Sequence, residues 1–541
     1  TINLGQNTLG VQAASLRYFN KPVYELTLSE SAVIAGITQN PSKYNPISHP
    51  DKSRERQERV LKKMYELEFI DKEEYEQALA DDVYSRIQTT NEATQSTDTV
   101  NSYFVDELTE QVVEDLQTVC GYDSNMAYKM LYSGGLKIYT TQDPQIQAIC
   151  DEVAQNPDNY PAGSKYLLYY TLTIEKANGD LKNVSSEEYE KYYKEQNKNF
   201  KMMYSSEEEG YEAIENFKAA IMEEGDEVRA ENAIFTIQPQ MSITVEDQHT
   251  GYIVALVGGR GPKLGSRTLN RATNTKRQPG STFKVLSTYA PALDSAGMTL
   301  ADIEVDAPYK YANGRPVSNW YSSGYKGICS LRYGIEQSLN IVTVKCLTQI
   351  TPQLGYDYLQ NFGFTTLVER EVSSTGEVFS DVTQSLALGG ITYGVTNLEL
   401  NAGYATIANG GMYIKPTLYT KIVDHDGNVV IDNTNPESHR VIKETTAYLL
   451  TDAMVDVVTK GTGGSVNFGN MAIAGKTGTT SSYNDVWFAG YTPYYTASVW
   501  TGCDNNVDLV GDQKNLSKKL WRLTMSEIHK DLPNVPFKQP S

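Results

Sequence analysis

Phe283, Val285, Leu286, Tyr289 and Leu293 recur at the spacing of a helix that buries one face, and Lys284 lies inside that run. Pro279 and Gly280 precede Ser281, so the pattern predicts that Ser281 opens a buried helix. Lys284 is three residues further on, on the same side one turn later, close enough for the two side chains to meet. A serine hydroxyl is a weak nucleophile until a base takes its proton. A lysine serves as that base only if burial and neighbouring positive charge keep it neutral. The helix N-terminus adds a partial positive charge and free N–H groups where an oxyanion would form. Pro291 predicts a kink or break about three turns after Ser281.

Ser323 and Lys326 in SSGYKG repeat the Ser281 to Lys284 spacing. They lie between glycines with no apolar periodicity, so nothing there would bury the lysine, and they read as a solvated pair.

At 541 residues the chain is too long for one core and divides into about three domains on a prior of ~150 residues each. A net charge of −20 and the lack of a basic stripe argue against a nucleic-acid partner. Cys120, Cys150, Cys329, Cys346 and Cys503 are scattered and odd in number, which indicates neither a disulfide framework nor a zinc site. At least one thiol is expected to be unpaired or bonded to another chain. No apolar run reaches the ~18 residues of a bilayer span, and Thr1 does not begin a signal peptide. The chain opens without methionine, as if in mid-domain, so a piece of something longer is expected, with any membrane anchor upstream.

Residues 1–90 read as helices. Thr27 and Glu30 form a capping box ahead of SAVIAGI, Asn40-Pro41 ends that helix, and a second helix carries Val60, Leu61 and Met64 on its apolar side. No residue there reads as a catalyst. From about Asp81 to Asp98 the composition turns polar, and residues 91–240 read as a linker region, with helical periodicity in YFVDELTEQVVEDL and LKIYTTQDP as a strand running into an Asp-Pro helix start. Within it, 183–226 reads as an acidic helical insertion with Ser186 and Ser205 as caps, its charge a solvated face or, more sharply, a docking surface. At Met241 the period changes to two, and MSITVEDQHTGYIVALVGG predicts a hairpin around His249 to Gly251. VDHDGNVV predicts another around Asp426-Gly427, and MAIAGKTGTT, VWFAGYT and YYTASVWTG predict three successive strands. Helices bracketing an antiparallel sheet make 241–541 an α+β domain.

Two further short motifs follow Ser281 and Lys284: Ser338 to Asn340, and Lys476-Thr477-Gly478. The first is weak alone, since Ser465-Val466-Asn467 and Ser482-Tyr483-Asn484 match it too. Ser338 can carry a proton between Lys284 and a leaving amine, and Asn340 can hold Lys284 or a substrate amide. Lys476 offers positive charge to a substrate carboxylate and helps keep Lys284 neutral by like-charge repulsion. Gly478 would let a substrate backbone lie against the strand, and the Thr477 and Thr479 hydroxyls can grip the carboxylate. The N–H groups of Ser281 and Thr479 would form the oxyanion hole.

These three motifs in this order are those of penicillin-binding proteins and class A β-lactamases. NRATNTKRQPGSTFK, SLNIVTVK, GVTNLELNAGYATIANGGMYIKP, GTGGS, AGKTGTT and ASVWTGCD resemble the transpeptidase domain of class A (bifunctional) penicillin-binding proteins. GVQAASLRYFNKPVYELTLSESAVIAGITQNPSKYNP resembles the final part of that family's glycosyltransferase domain. The resemblance implies an α+β penicillin-binding/β-lactamase-like transpeptidase domain, a linker region and an α-helical remnant of a glycosyltransferase domain. It implies that Ser281, Lys284, Ser338, Asn340 and Lys476 are catalytic and that Thr477, Gly478 and Thr479 bind substrate. Ser281 would attack the bond between the terminal D-alanines of a peptidoglycan stem peptide. The acyl-enzyme would be resolved by an amine of a neighbouring stem, whereas β-lactams would acylate the same serine and stay, with no metal or cofactor. The family's glycosyltransferase glutamates lie near the start of that domain, before Thr1. The chain as it stands is therefore expected to lack glycosyltransferase activity, while the longer protein acts on a lipid-linked precursor from an anchor at the extracytoplasmic face of the bacterial membrane. The acidic insertion is longer than the linker the family leads one to expect.

A β-lactamase would need a glutamate-activated water, and Glu399-Leu400-Asn401 superficially resembles such a motif. It lies, however, in NLELNAGYATIANGG, which reads as a packing helix. A β-lactam sensor or wall scaffold would not be joined to a glycosyltransferase-like segment.

Overall fold

Thr27 caps the helix Leu28–Ile37 as predicted: its hydroxyl accepts from Glu30 N–H, and the Glu30 carboxylate accepts from Thr27 N–H. The helix Pro50–Glu66 buries Leu61 against Ala32, Ile70 and Ala78, with Val60 and Met64 partly covered. Both helices belong to the first of two compact units, Thr1–Val100 with Gly121–Leu136; the second is Asn101–Cys120 with Lys137–Ser541. The computed structural model describes residues 4, 10–21, 23–41, 43–87 and 100–540. Thr1, the expected boundary at residue 90 and most of the polar stretch ending at Asp98 lie outside the described residues.

In the second unit a strand, Lys137–Thr140, leads to the helix Pro144–Gln155, whose N-cap Asp143 accepts from the N–H groups of Gln145 and Ile146. This part is not a linker. Ile146, Cys150 and Val153 pack into one core with Met241, Val257 and Trp521, because the helix has an apolar face that the sheet covers.

Residues 165–238 form a module with its own core: the two helices expected over 183–226 are present, but they pack on a sheet that the sequence does not predict. Strand β1 (Lys165–Glu175) pairs antiparallel with β4 (Glu227–Gln238) along its whole length, and β2 (Leu181–Val184) and β3 (Met203–Tyr204) line its other edge. Leu168, Tyr170, Leu172 and Ile174 alternate toward Tyr189, Ile214 and Phe217 on the helices Ser186–Gln196 and Glu207–Ile221. The caps are Ser185 and Ser206, each one residue from the serine expected. Ser186 is drawn away because its hydroxyl donates to Tyr170 O at 2.7 Å.

Strands β5 (Gln240–Asp247), β6 (Tyr252–Val257), β7 (Ala474–Thr479), β8 (Asp485–Tyr491) and β9 (Thr496–Gly502) form one antiparallel sheet in the order β7-β8-β9-β5-β6. The β5–β6 hairpin turns at Gly251, whose φ of 74° suits a residue without a Cβ. Side chains alternate between two cores. Trp487, Ala489 and Tyr491 face the one built around Phe283, Leu286 and Tyr289, while Phe488 joins the one under Pro144–Gln155 and Leu516–Ile528. The predicted α+β architecture is the one observed. All five cysteines are free thiols, and among the described residues no helix is long and apolar enough to cross a membrane.

Candidate active site

Ser281 lies in a 3-10 turn, Gly280–Thr282, followed by a π-helical segment, Lys284–Tyr289, and an α-helix, Ala290–Asp294. The buried helix expected from the apolar spacing is therefore irregular from its start. Gly280 has a φ of 55°, and a Cβ there would lie 2.6 Å from Thr479 O and 2.9 Å from Thr479 N. The serine turn can meet the end of β7 only because that Cβ is missing. Pro291 has no N–H to return to the carbonyl of Ser287, and it falls where the π turn passes into the α-helix. Tyr404 OH donates to Thr282 O at 2.7 Å and Trp487 Nε1 to Gln278 O at 2.9 Å, pinning the turn from two directions.

Lys284 and Lys476 are both fully buried. Lys284 Nζ reaches Ser338 O at 2.7 Å, Ser338 Oγ at 3.2 Å and Asn340 Oδ1 at 2.5 Å. Lys476 Nζ donates to the same Ser338 Oγ at 2.8 Å. Burial, and after it the positive charge of Lys476, hold Lys284 well below the usual lysine range, and burial pushes Lys476 down to about 7. No hydrogen bond joins Ser281 Oγ to Lys284 in this arrangement: the lysine turns to the Ser338 loop instead.

Ser338 sits between the helices Leu331–Glu336 and Asn340–Ile350 with a φ of 54°, a conformation a non-glycine residue holds only when its surroundings impose it. Asn340 Nδ2 donates to Ser318 O at 2.7 Å, which turns its Oδ1 toward Lys284. Asn319 Oδ1 accepts from Asn340 N–H at 2.8 Å. Neither Ser318 nor Asn319 has a motif that marks it in the sequence.

Thr477 and Thr479 flank Gly478 on β7, and Thr477 Oγ1 is 2.9 Å from Thr462 Oγ1 of the GTGGS segment. A Cβ at Gly478 would meet Pro279 O at 2.6 Å and the Thr282 methyl at 2.8 Å. Its bareness therefore serves the contact between β7 and the serine turn. Ser323 and Lys326, the matching pair, are exposed, with Lys326 lying over the Tyr321 ring. Glu399 is occupied as a cap: its carboxylate accepts from Thr396 N–H at 3.0 Å and from Thr365 N–H at 2.9 Å.

Residues 241–518, which contain Ser281, Ser338, Asn340 and Lys476, match the penicillin binding protein transpeptidase domain family, and residues 1–65 match the transglycosylase family. The chain belongs to the class A penicillin-binding proteins. Penicillin-binding protein 1A of Clostridium botulinum (strain Hall) is 31% identical over 557 residues, covering 100% of this chain and 58% of the relative. That of Clostridium tetani is 30% identical and is covered to 62%. The chain thus spans about three-fifths of the length of these penicillin-binding proteins. The crystal structure of penicillin-binding protein 1A from Haemophilus influenzae has the same fold, with a TM-score of 0.63 and 22% identity over 100% of this chain and 85% of that one. PonA1 of Mycobacterium tuberculosis gives a TM-score of 0.56 at 21% identity over 81% of this chain and 95% of that one.

Proposed function

We propose that this chain is a serine D,D-transpeptidase that cross-links peptidoglycan stem peptides through an acyl-enzyme on Ser281, with its transpeptidase domain over 241–541. The observation that carries the reading is one hydroxyl, Ser338 Oγ, within hydrogen-bond reach of both buried lysines. A neutral Lys284 has two N–H groups and a lone pair. Ser338 O and Asn340 Oδ1 can only accept, so they take the two N–H groups and leave the lone pair for a hydroxyl. Lys284 then takes the Ser281 proton as Oγ attacks the carbonyl carbon of the penultimate D-alanine. The C–N bond breaks, the Ser338 hydroxyl passes its proton to the leaving amine while Lys284 hands the proton it took to Ser338 Oγ, and the terminal D-alanine departs. The amine of a neighbouring stem attacks the ester by the same steps in reverse.

Lys476 with Thr477 and Thr479 receives the terminal carboxylate, and the N–H groups of Ser281 and Thr479 receive the oxyanion. β-Lactams acylate the same serine and stay, since Glu399 is held in its cap and activates no water. The match of residues 1–65 to the transglycosylase family supports a longer protein that also polymerises a lipid-linked precursor, anchored upstream at the extracytoplasmic face of the membrane.

Intact-mass measurement after penicillin treatment, with the modified peptide mapped, tests the reading. One adduct on Ser281 that persists for many minutes is expected. An adduct on another residue, or turnover of nitrocefin within seconds, overturns it.

A further inference from the structure

Residues 306–321 carry none of the motifs, yet they frame the site. Asp306 is fully buried, and its carboxylate accepts three bonds: Asn319 Nδ2 at 2.8 Å on one oxygen, Tyr321 OH at 2.7 Å and Lys326 N–H at 2.7 Å on the other. Because a carboxylate only accepts, Asn319 must turn its NH2 group toward Asp306 and its carbonyl oxygen the opposite way. Tyr321 OH, which spends its proton on Asp306, accepts the same NH2 group at 2.9 Å and reinforces that choice. The outward oxygen accepts the N–H groups of Asn340 at 2.8 Å and Ile341 at 3.4 Å. It thereby caps a helix whose own N-cap residue, Leu339, has no side-chain acceptor.

The same loop reaches Asn340 a second way. Ser318 O, one peptide unit before Asn319, accepts Asn340 Nδ2 at 2.7 Å, and the Trp320 indole ties the loop to Gln337 O at 2.9 Å. Each amide therefore has one allowed orientation: Asp306 sets Asn319, the Asn319 loop sets Asn340, and Asn340 presents oxygen to Lys284. We propose that Asp306 and Asn319 are positioning residues of the acyl transfer, which set through Asn340 the direction of the Lys284 lone pair; this rests on Lys284 being the base. An Asn340 amide turned over would point an N–H at that lone pair and block it.

Asp306→Asn tests this in the chain as it stands. An asparagine offers one acceptor oxygen to three donors and releases the lock on Asn319. Stopped-flow acylation by labelled penicillin is expected to slow by about tenfold or more while the melt stays cooperative. The acidic limb of the pH–rate profile is expected to move to lower pH, because the ammonium form of Lys284 loses a fixed acceptor. A purely structural role would reduce the active fraction and leave the limb in place. If Asp306→Asn does not fold, Tyr321→Phe carries the test, with an expected loss of several-fold and the same direction of limb shift. A folded variant with wild-type rate and an unmoved limb overturns the proposal. Absence of an adduct on wild-type Ser281 would instead overturn the transpeptidase reading.

Discussion

The Ser338 hydroxyl lies 2.8 Å from Lys476 Nζ, although the two residues are 138 positions apart. The same hydroxyl lies 3.2 Å from Lys284, so one proton donor and acceptor bridges two fully buried amines. Two ammonium groups crowded on one hydroxyl in a dry core cannot both stay charged cheaply: burial lowers both lysines, and the charge of Lys476 lowers Lys284 further.

Replacing Lys476 with methionine removes that charge and keeps the length of the side chain. The Lys284 pKa then rises, so the base is free only at higher pH, and the acidic limb of acylation shifts upward. The rate is expected to fall about 10²-fold as the substrate carboxylate loses its cation. Second-order acylation rates between about pH 5 and 9 check this; an unmoved limb would leave burial as the sole cause of the Lys284 shift.

Gly280→Ala would drive a methyl group to within 2.6 Å of Thr479 O at a φ of 55°. A loss of about 2–3 kcal/mol is expected from the strain and the displaced turn, together with loss of acylation. Thermal melts and penicillin labelling read the two effects separately. A stable variant that labels normally would show that the contact between the turn and β7 is dispensable.

Glu246, on β5, is buried, accepts from Asn401 Nδ2 at 2.9 Å, and is pushed up to about 8 by burial. The folded state keeps this proton where the unfolded chain has lost it. Its contribution is thus complete below about pH 4.5 and disappears as pH rises toward about 8. Glu246→Gln keeps shape and hydrogen bond without the titration. The variant should match wild type near pH 4.5 and exceed it by about 4 kcal/mol at pH 8, measured by denaturant midpoints. Equal pH slopes in the two proteins would refute a protonated Glu246.

Glu399→Gln is expected to cost about 1 kcal/mol through the weakened cap and to leave the lifetime of the penicillin adduct unchanged. Release of a fluorescent penicillin over hours reads that lifetime. A longer-lived adduct in the variant would mean that Glu399 does activate water.

Much of the local structure was legible because its causes are short in range. The Thr27 capping box, the Asp143-Pro144 helix start, the hairpins at Gly251 and Gly427, and strands β7 to β9 each follow from neighbours a few residues apart. The module at 165–238 was not legible, since β1 finds its partner β4 only after two helices have intervened. The apolar spacing predicts a plain helix at the serine turn because Gly280 declares its freedom but not that Thr479 will occupy the space.

By itself, the sequence determined which chemical groups are present, their order, and the periodicity that buries Lys284. Tertiary structure alone decided that Lys476 and Ser338 meet, that Gly478 serves the serine turn, and that Asp306 and Asn319 orient Asn340. The reason is physical. Periodicity and capping are set within a turn or two of chain, whereas a hydrogen bond between residues tens of positions apart exists only once the sheet and helices have packed.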